Sequence, residues 1–361
     1  MIPLPKIPQQ KVNLFQKAQT VEPMMMQPII IDEDFINEHE EQETIHGYVV
    51  REIMGQTPTG VEMLVENVIG QKFILKAFDE GIEDIGRMEI KLLQILKGKK
   101  AVNMTDYFFY NKKLHMVMNY IPYSLQNMIY EQNITLKDIK KIMLRITNII
   151  KYMHDQNILH GDIQPQSFRL TPNNIPSMIA SNFQCARILS VDYVPQKLQP
   201  VHYRAPEIIQ GKQSSKNTDM WSIGCLFYEL IMKKPLFDVE SLDNVVVQQL
   251  HLFKYQHLKA PVINKIEEEM YYKFSTSFLK KLGLSTKAAK LPVYHVYQTQ
   301  KQFWPTINDE ILCMEKWKQE DKENCIKLLY GLLNHDPNKR LSCDAILKSP
   351  FLQEQFGFRI K

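Results

Sequence analysis

Cysteine is scarce in this 361-residue chain: there are five, Cys185, Cys225, Cys313, Cys325 and Cys343, and they stand far apart. With no CxxC pair and no grouping of cysteine with histidine at metal-ligand spacing, the sequence gives no zinc ribbon and no disulfide framework, and it suits a reducing, intracellular compartment. Long apolar runs are also missing. No segment reaches the roughly 18 residues of a membrane span, and the N-terminal MIPLPKIPQQ carries three prolines where a signal peptide would need an apolar stretch. The expectation is a protein of nucleus or cytoplasm with no membrane partner. Charge of one sign is not in excess: 44 basic against 40 acidic residues leave +4, so bulk electrostatics do not call for nucleic acid. No repeat with a period of 20 to 50 residues is present, which excludes solenoids and propellers.

What is there is a normal globular complement, 44% apolar, enough for one large core or two smaller ones. Residues 1 to about 46 are rich in Pro, Gln and Met and then acidic. The stretch DEDFINEHEEQE (32–43) has seven carboxylates and no Lys or Arg, and reads as a mostly disordered tail. A metal site or a basic-partner site is its functional alternative. From 47 to 119 the pattern is strand-like, in YVVREIM, VEMLVENV, QKFILKAF, DYFFY and LHMVMNY. One helix is predicted inside it at about 82–97, on the spacing of Ile85, Met88, Leu92, Leu93 and Leu96. Over 120–352 helical periodicity dominates. In LKDIKKIMLRITNIIKYMHD the positions Ile139, Ile142, Met143, Ile146, Ile149, Ile150 and Met153 form one stripe. The layout is α+β, a small β-rich lobe (47–119) followed by a larger helical lobe (120–352), with an insert at about 255–320 and a tail at 353–361.

Several short motifs follow one another in order: GQTPTG (55–60), FILK ending at Lys76, RMEIKLLQIL with Glu89, HGD (160–162), NFQ (182–184), APE (205–207), DMWSIGC (219–225) and DPNKR (336–340). In this order they resemble the eukaryotic protein kinases. YRAPEII, YIPYSL and the long segment at 255–320 narrow the likeness to the cyclin-dependent, glycogen-synthase and DYRK kinase group. NILHGDI, RAPEIIQGK, DMWSIGCLFYEL and HLKAPVINKI most resemble its DYRK-related pre-mRNA splicing kinases. The resemblance implies a bilobal protein-kinase fold. It also implies that Asp219 holds the catalytic-loop backbone, that Glu207 pairs with Arg340, and that His160, Phe183 and Leu93 stack with Tyr107 or Phe108 between the lobes. A buried acid needs such a partner, since leaving one member unpaired costs about 3–5 kcal/mol.

The same resemblance places the chemistry, and there the residues depart from the family. Phosphoryl transfer rests on positioning and on magnesium. The two metal-ligand positions are Asn182, a neutral amide, and Ser167. At an effective dielectric of 20 a unit charge pair at 4 Å is worth about 4 kcal/mol, so a missing carboxylate is a large loss. The loop lysine that would steady the transferred phosphate is Gln164, and Gln184 replaces a glycine. In the glycine-rich loop Gly55 and Gly60 remain, but Thr57 takes the middle glycine's place and Pro58 removes an amide. The nucleotide pocket would be formed by Glu62 (or Val61), Ile74, Met118, Ile121 and Arg169. Ile74 would fill volume that adenine needs, and Arg169 would put a charge beneath it, paired with an acid such as Glu62.

Asp162 and Lys76 keep catalytic identities. Asp162 is either the base that orients a substrate hydroxyl or a carboxylate binding loop amides. Lys76 with Glu89 reads as an ion pair that positions the helix, a purely structural use set beside the catalytic identity of the lysine. Gly161 cannot hold an activation-loop phosphate as arginine would, although the splicing kinases also have a small residue there. Tyr193 and Tyr203 lie in the activation segment with a structural or solvated role as default. Two function classes stay open. One is a pseudokinase, a scaffold or allosteric partner of proteins in pre-mRNA processing or signalling, with no cofactor. The other is a divergent serine/threonine kinase using ATP and Mg. A third, direct nucleic-acid binding, rests only on FLKKLGLSTKAAK (278–290), which reads better as a solvated helix face. YHVYQTQKQFWP (294–305) suits a docking surface or a packed cover.

Overall fold

The computed structural model describes residues 44–171, 177–189, 199–237, 249 and 307–353. The acidic stretch at 32–43, Tyr193 and the segments 278–290 and 294–305 lie outside the described residues, as does most of the insert.

The chain opens with β1 (Thr44–Ile45), β2 (Tyr48–Thr57), β3 (Gly60–Glu66) and β4 (Lys72–Phe78), then α1 (Glu83–Leu96), β5 (Met104–Tyr110) and β6 (Lys113–Asn119). The sheet therefore begins at Thr44, slightly ahead of the boundary placed at 47. The strands form one antiparallel sheet in the order β1-β2-β3-β4-β6-β5. Helix α1 falls inside the predicted 82–97, burying Ile90, Leu92, Leu93 and Leu96, and stops where Lys97 turns left-handed (φ 48) and returns its N–H to the Leu93 carbonyl.

The helical part comprises α2 (Leu125–Glu131), α3 (Leu136–Asp155), β7 (Ile158–Leu159), β8 (Phe168–Thr171), β9 (Ser177–Ala180), β10 (Arg187–Ile188), α4 (Pro206–Ile209) and α5 (Lys216–Met232). It closes with α6 (Ile307–Leu312), α7 (Gln319–Leu332), α8 (Cys343–Leu347) and α9 (Pro350–Gln353). Helix α3 starts at a capping box in which Thr135 and Asp138 exchange side-chain to backbone hydrogen bonds. All seven apolar residues of its predicted stripe are buried. Helix α5 is different, buried on every side from Thr218 to Ile231. A helix enclosed all round becomes the axis of its lobe, and it carries Asp219 and Glu229 into the interior.

Two apolar clusters result. The larger runs from Phe78, Leu92 and Met116 of the first lobe through α3 and α5. The smaller, with Ile45, Val65, Phe73 and Val117, caps the far side of the sheet. This division corrects one expectation. Phe108 packs against the smaller cluster, its ring 4.2 Å from that of His46, and Tyr107 is 49% exposed. Neither joins His160 and Phe183. A register irregularity between Met104 and Asp106 shifts the alternation along β5, and Met104 packs against the larger cluster instead.

Candidate functional site

The stretch from Ile158 to Leu170 links β7 to β8 through a short 3-10 turn at Pro165–Ser167. Asp219, projecting from the first turn of α5, holds it. Its carboxylate accepts hydrogen bonds from the backbone amides of His160 (2.9 Å) and Gly161 (3.0 Å), and lies 2.9 Å from Nε2 of His154. Burial alone would push the Asp219 pKa up, but the hydrogen bond and charge of His154, the charge of His160 and the Gly161 amide outweigh it and hold the carboxyl below its usual range. Gly161 adopts φ 73, the left-handed region that glycine enters without strain. Farther along, Arg340 binds Glu207 through two bonds of 2.7 Å each, donates to the Asn217 carbonyl and stacks over Trp221. This fork geometry is the strong form of an ion pair.

Asp162 is 3% exposed. Its Oδ1 accepts from Gln164 Nε2 at 2.8 Å, while Oδ2 is buried and, among the described residues, has no partner at hydrogen-bond geometry. Burial pushes its pKa from 3.8 up to about 7, against the lowering effect of the Gln164 and Gln184 side chains and of Lys76. Ser167 is fully buried and donates its hydroxyl to the Asp162 carbonyl at 2.6 Å. Asn182 is left-handed (φ 60, ψ 63), a conformation asparagine tolerates, and it leads into a 3-10 turn that seats Phe183 in the core beside His160, ring centroids 5.5 Å apart. Leu93 is buried in the same cluster.

Above this loop, Lys76 on β4 and Glu89 on α1 form a buried ion pair at 2.8 Å. Strand register puts Glu62 opposite Lys76, and Met118 opposite Ile74. Burial pushes the Glu62 carboxyl up; Lys76 opposes this, Glu89 adds to it and Arg169 opposes it. Arg169, on β8, is pulled below its ordinary pKa by burial, opposed by Glu62 and Tyr120. The two side chains thus feel each other's charge, but among the described residues no hydrogen bond or ion pair joins them, which corrects the expected Glu62–Arg169 pair. Each is fixed by its own strand, and the separation between β3 and β8 is set by the sheet and the lobe beneath it. Ile74 is half-buried against the larger cluster, Met118 is buried and Ile121 half-buried.

The segment from Gly55 to Gly60 is a tight hairpin: Gly55 pairs with Glu62 and Thr57 with Gly60. Gly60 (φ 146) is obligatory, because a Cβ there would meet the Ala77 carbonyl oxygen at 1.9 Å. Pro58 offers no amide, and the Thr59 amide is bonded to Thr57 Oγ1.

The structure adds residues that the sequence reading missed. Gln199 is left-handed (φ 65), and its carbonyl accepts two bonds from the Arg204 guanidinium, at 3.1 and 2.8 Å. Its amide donates to the Gly161 carbonyl and its side chain to Thr218 O and Ser222 Oγ, tying the activation segment to the loop and to α5. Glu229 accepts from Tyr203 at 2.5 Å and Tyr130 at 2.6 Å. The YRAPE motif flags Arg204 and Tyr203, but nothing in the sequence marks the backbone turn at Gln199.

The family described as "Protein kinase domain" matches residues 48–352. Among curated proteins the chain is similar to Cyclin-dependent kinase-like 2 of Mus musculus, at 26% identity over 319 residues, 83% of this chain and 50% of that protein. It is similar to Probable serine/threonine-protein kinase glkA of Dictyostelium discoideum, at 24% identity over 320 residues, 86% of this chain and 59% of that protein. It is also similar to Probable serine/threonine-protein kinase KIN28 homolog of Encephalitozoon cuniculi, at 28% identity over 283 residues, 76% of this chain and 79% of that protein. The chain spans between half and three-fifths of the length of the first two.

Proposed function

The chain belongs to the protein kinase domain family, and from that premise we propose that it is a catalytically impaired member, a pseudokinase that acts as a scaffold or allosteric partner of other proteins. The observation that carries this reading is the donor set at the two metal-ligand positions. Ser167 gives its proton to the Asp162 carbonyl at 2.6 Å and is fully buried. Asn182 supplies a neutral amide. Magnesium needs hard, charged oxygen ligands in near-octahedral array, and this pair does not fit it. Glu62 brings a carboxylate to the strand opposite Lys76, and Gln164 replaces a cation beside Asp162. These residues build a rigid frame and leave little positive charge for a triphosphate.

On this reading the partners are proteins, in pre-mRNA processing or signalling, with no bound cofactor and a place in nucleus or cytoplasm. The placement beside the DYRK-related splicing kinases is part of the same proposal, supported by Gly161 and by the Arg204 contact to Gln199. The test is thermal stability titrated with ATP, with and without magnesium or manganese. No stabilisation is expected. A shift that follows RT ln(1 + [L]/Kd) would overturn the reading, as would phosphate transfer to a protein hydroxyl that Asp162→Asn abolishes.

A second reading has its own observation. Lys76 and Glu89 are joined, and Asp162 sits at the base position with a pKa of about 7. That arrangement supports a serine/threonine kinase using ATP and Mg; the two relatives from Dictyostelium discoideum and Encephalitozoon cuniculi bear the name probable serine/threonine-protein kinase.

A further inference from the structure

Three helices of the second lobe bring soft donor atoms together. Cys343 opens α8, and its Sγ lies 3.9 Å from Nδ1 of His154, in the last turn of α3, and 3.8 Å from Sδ of Met220, near the start of α5. All three residues are buried, Met220 the most deeply. The chain neighbours of Cys343, Ser342 and Asp344, are exposed, so the sulfur lies just beneath the surface.

His154 is oriented from behind, with its Nε2 2.9 Å from Asp219 Oδ2. A carboxylate only accepts, so Nε2 carries a proton and Nδ1 presents its lone pair to Cys343. A carboxylate on the far nitrogen is the support that fixes metal-ligating histidines. The thiol has a single proton for two acceptors, Nδ1 and Sδ, so hydrogen bonding alone leaves one of them unserved.

The separations suit a metal ion. Bonds of about 2.0 Å from imidazole and about 2.3 Å from thiolate to a d10 ion, in a trigonal plane, set the donor atoms about 3.7–4.0 Å apart. Thiolate and thioether are the donors that select copper(I). Zinc takes four ligands, and among the described residues no three side chains of His, Cys, Asp and Glu converge on a metal position.

We propose that Cys343, His154 and Met220 form a three-coordinate copper(I) site. On binding, the Cys343 S–H bond breaks, sulfur bonds to copper and the proton leaves to solvent, with no change in oxidation state. The charges of ion and thiolate cancel, which suits a dry interior. The ion is separate from the cleft between the lobes, where a pseudokinase needs no cofactor. Asp219 nevertheless joins the two places, because the same carboxylate accepts from the His160 and Gly161 amides.

The experiment titrates the full, reduced chain anaerobically with copper(I) against bicinchoninate as competing chelator. One tightly held ion per chain is expected, with the release of about one proton, and X-ray absorption should show two sulfur neighbours and one nitrogen. Cys343→Ser should abolish the site. Met220→Leu, which keeps the packing volume, should weaken it by on the order of tenfold and remove one sulfur from the spectrum. Cys313→Ser, and Met24→Leu with Met25→Leu and Met26→Leu, should leave the ion in place. The proposal is overturned if the chain takes up no copper in competition, which would make Cys343 a packed thiol. It is equally overturned if affinity and spectrum are unchanged in Met220→Leu, or if the ion is lost with the three N-terminal methionines.

Discussion

Lys76 Nζ lies 2.8 Å from a Glu89 carboxylate oxygen, with both side chains within 3% of full burial. The bond ties β4 to α1 across the first lobe, and it exists whether or not a nucleotide is ever held there. Removing one member strands the other in a dry interior. Lys76→Met or Glu89→Gln alone is expected to cost about 3–5 kcal/mol in urea unfolding, whereas Lys76→Met combined with Glu89→Leu should recover most of that loss. Additive losses in the double variant would refute a closed pair.

Glu207 and Arg340 make the same argument for the second lobe, with two bonds of 2.7 Å and further bonds from Thr218 and to the Asn217 carbonyl. Arg340→Ala should destabilise the chain by about 3–5 kcal/mol, and Arg340→Lys should restore less than half of it, because an ammonium cannot supply the fork. Calorimetry of the three proteins side by side decides it.

Asp162 gives a pH dependence with a definite sign. Its pKa is about 7 in the folded chain against 3.8 ordinarily. Below 3.8 both states hold the proton and the carboxyl has no differential effect. As pH rises from about 4 to about 7 the unfolded state ionises first, so stability falls, and above 7 the loss is constant, on the order of 4 kcal/mol. Asp162→Asn should therefore be more stable than the unaltered protein at pH 8 and close to it at pH 4. Urea melts at the two values that show no pH-dependent difference would contradict the burial assigned to this group.

Gly161 at φ 73 predicts that Gly161→Ala and Gly161→Arg each cost about 1–2 kcal/mol, since both introduce a Cβ into the left-handed region. An equal cost for the two would locate the strain in the backbone, while a gain from arginine would show that the loop relaxes and a new partner is found. Melting temperature is the readout.

Much of this was legible in the sequence because the signals are local. The period-2 strands and the stripe from Ile139 to Met153 emerge where expected, since side-chain direction repeats every 2 or 3.6 residues regardless of what lies opposite. The partners of Glu207 and Lys76 were legible as well, through the resemblance in motif order. The stack of His160, Phe183 and Leu93 takes neither Tyr107 nor Phe108, because an irregularity at Met104–Asp106 breaks the alternation along the strand, and it leaves no mark in composition. Glu62 and Arg169 were expected to pair, and only the register of β3 and the placement of β8 decide that they act at a distance.

The sequence by itself determined the elements, the two-lobed order and the identities at the metal and base positions, because each depends on residue type and near neighbours. Tertiary structure alone decided that Ser167 turns to the Asp162 carbonyl, that Gln199 is left-handed under Arg204, and that Glu229 receives Tyr130 from 99 residues away. Those bonds depend on where separate elements cross, and a crossing is fixed by the packing of the whole core around α5 rather than by any stretch of chain within it.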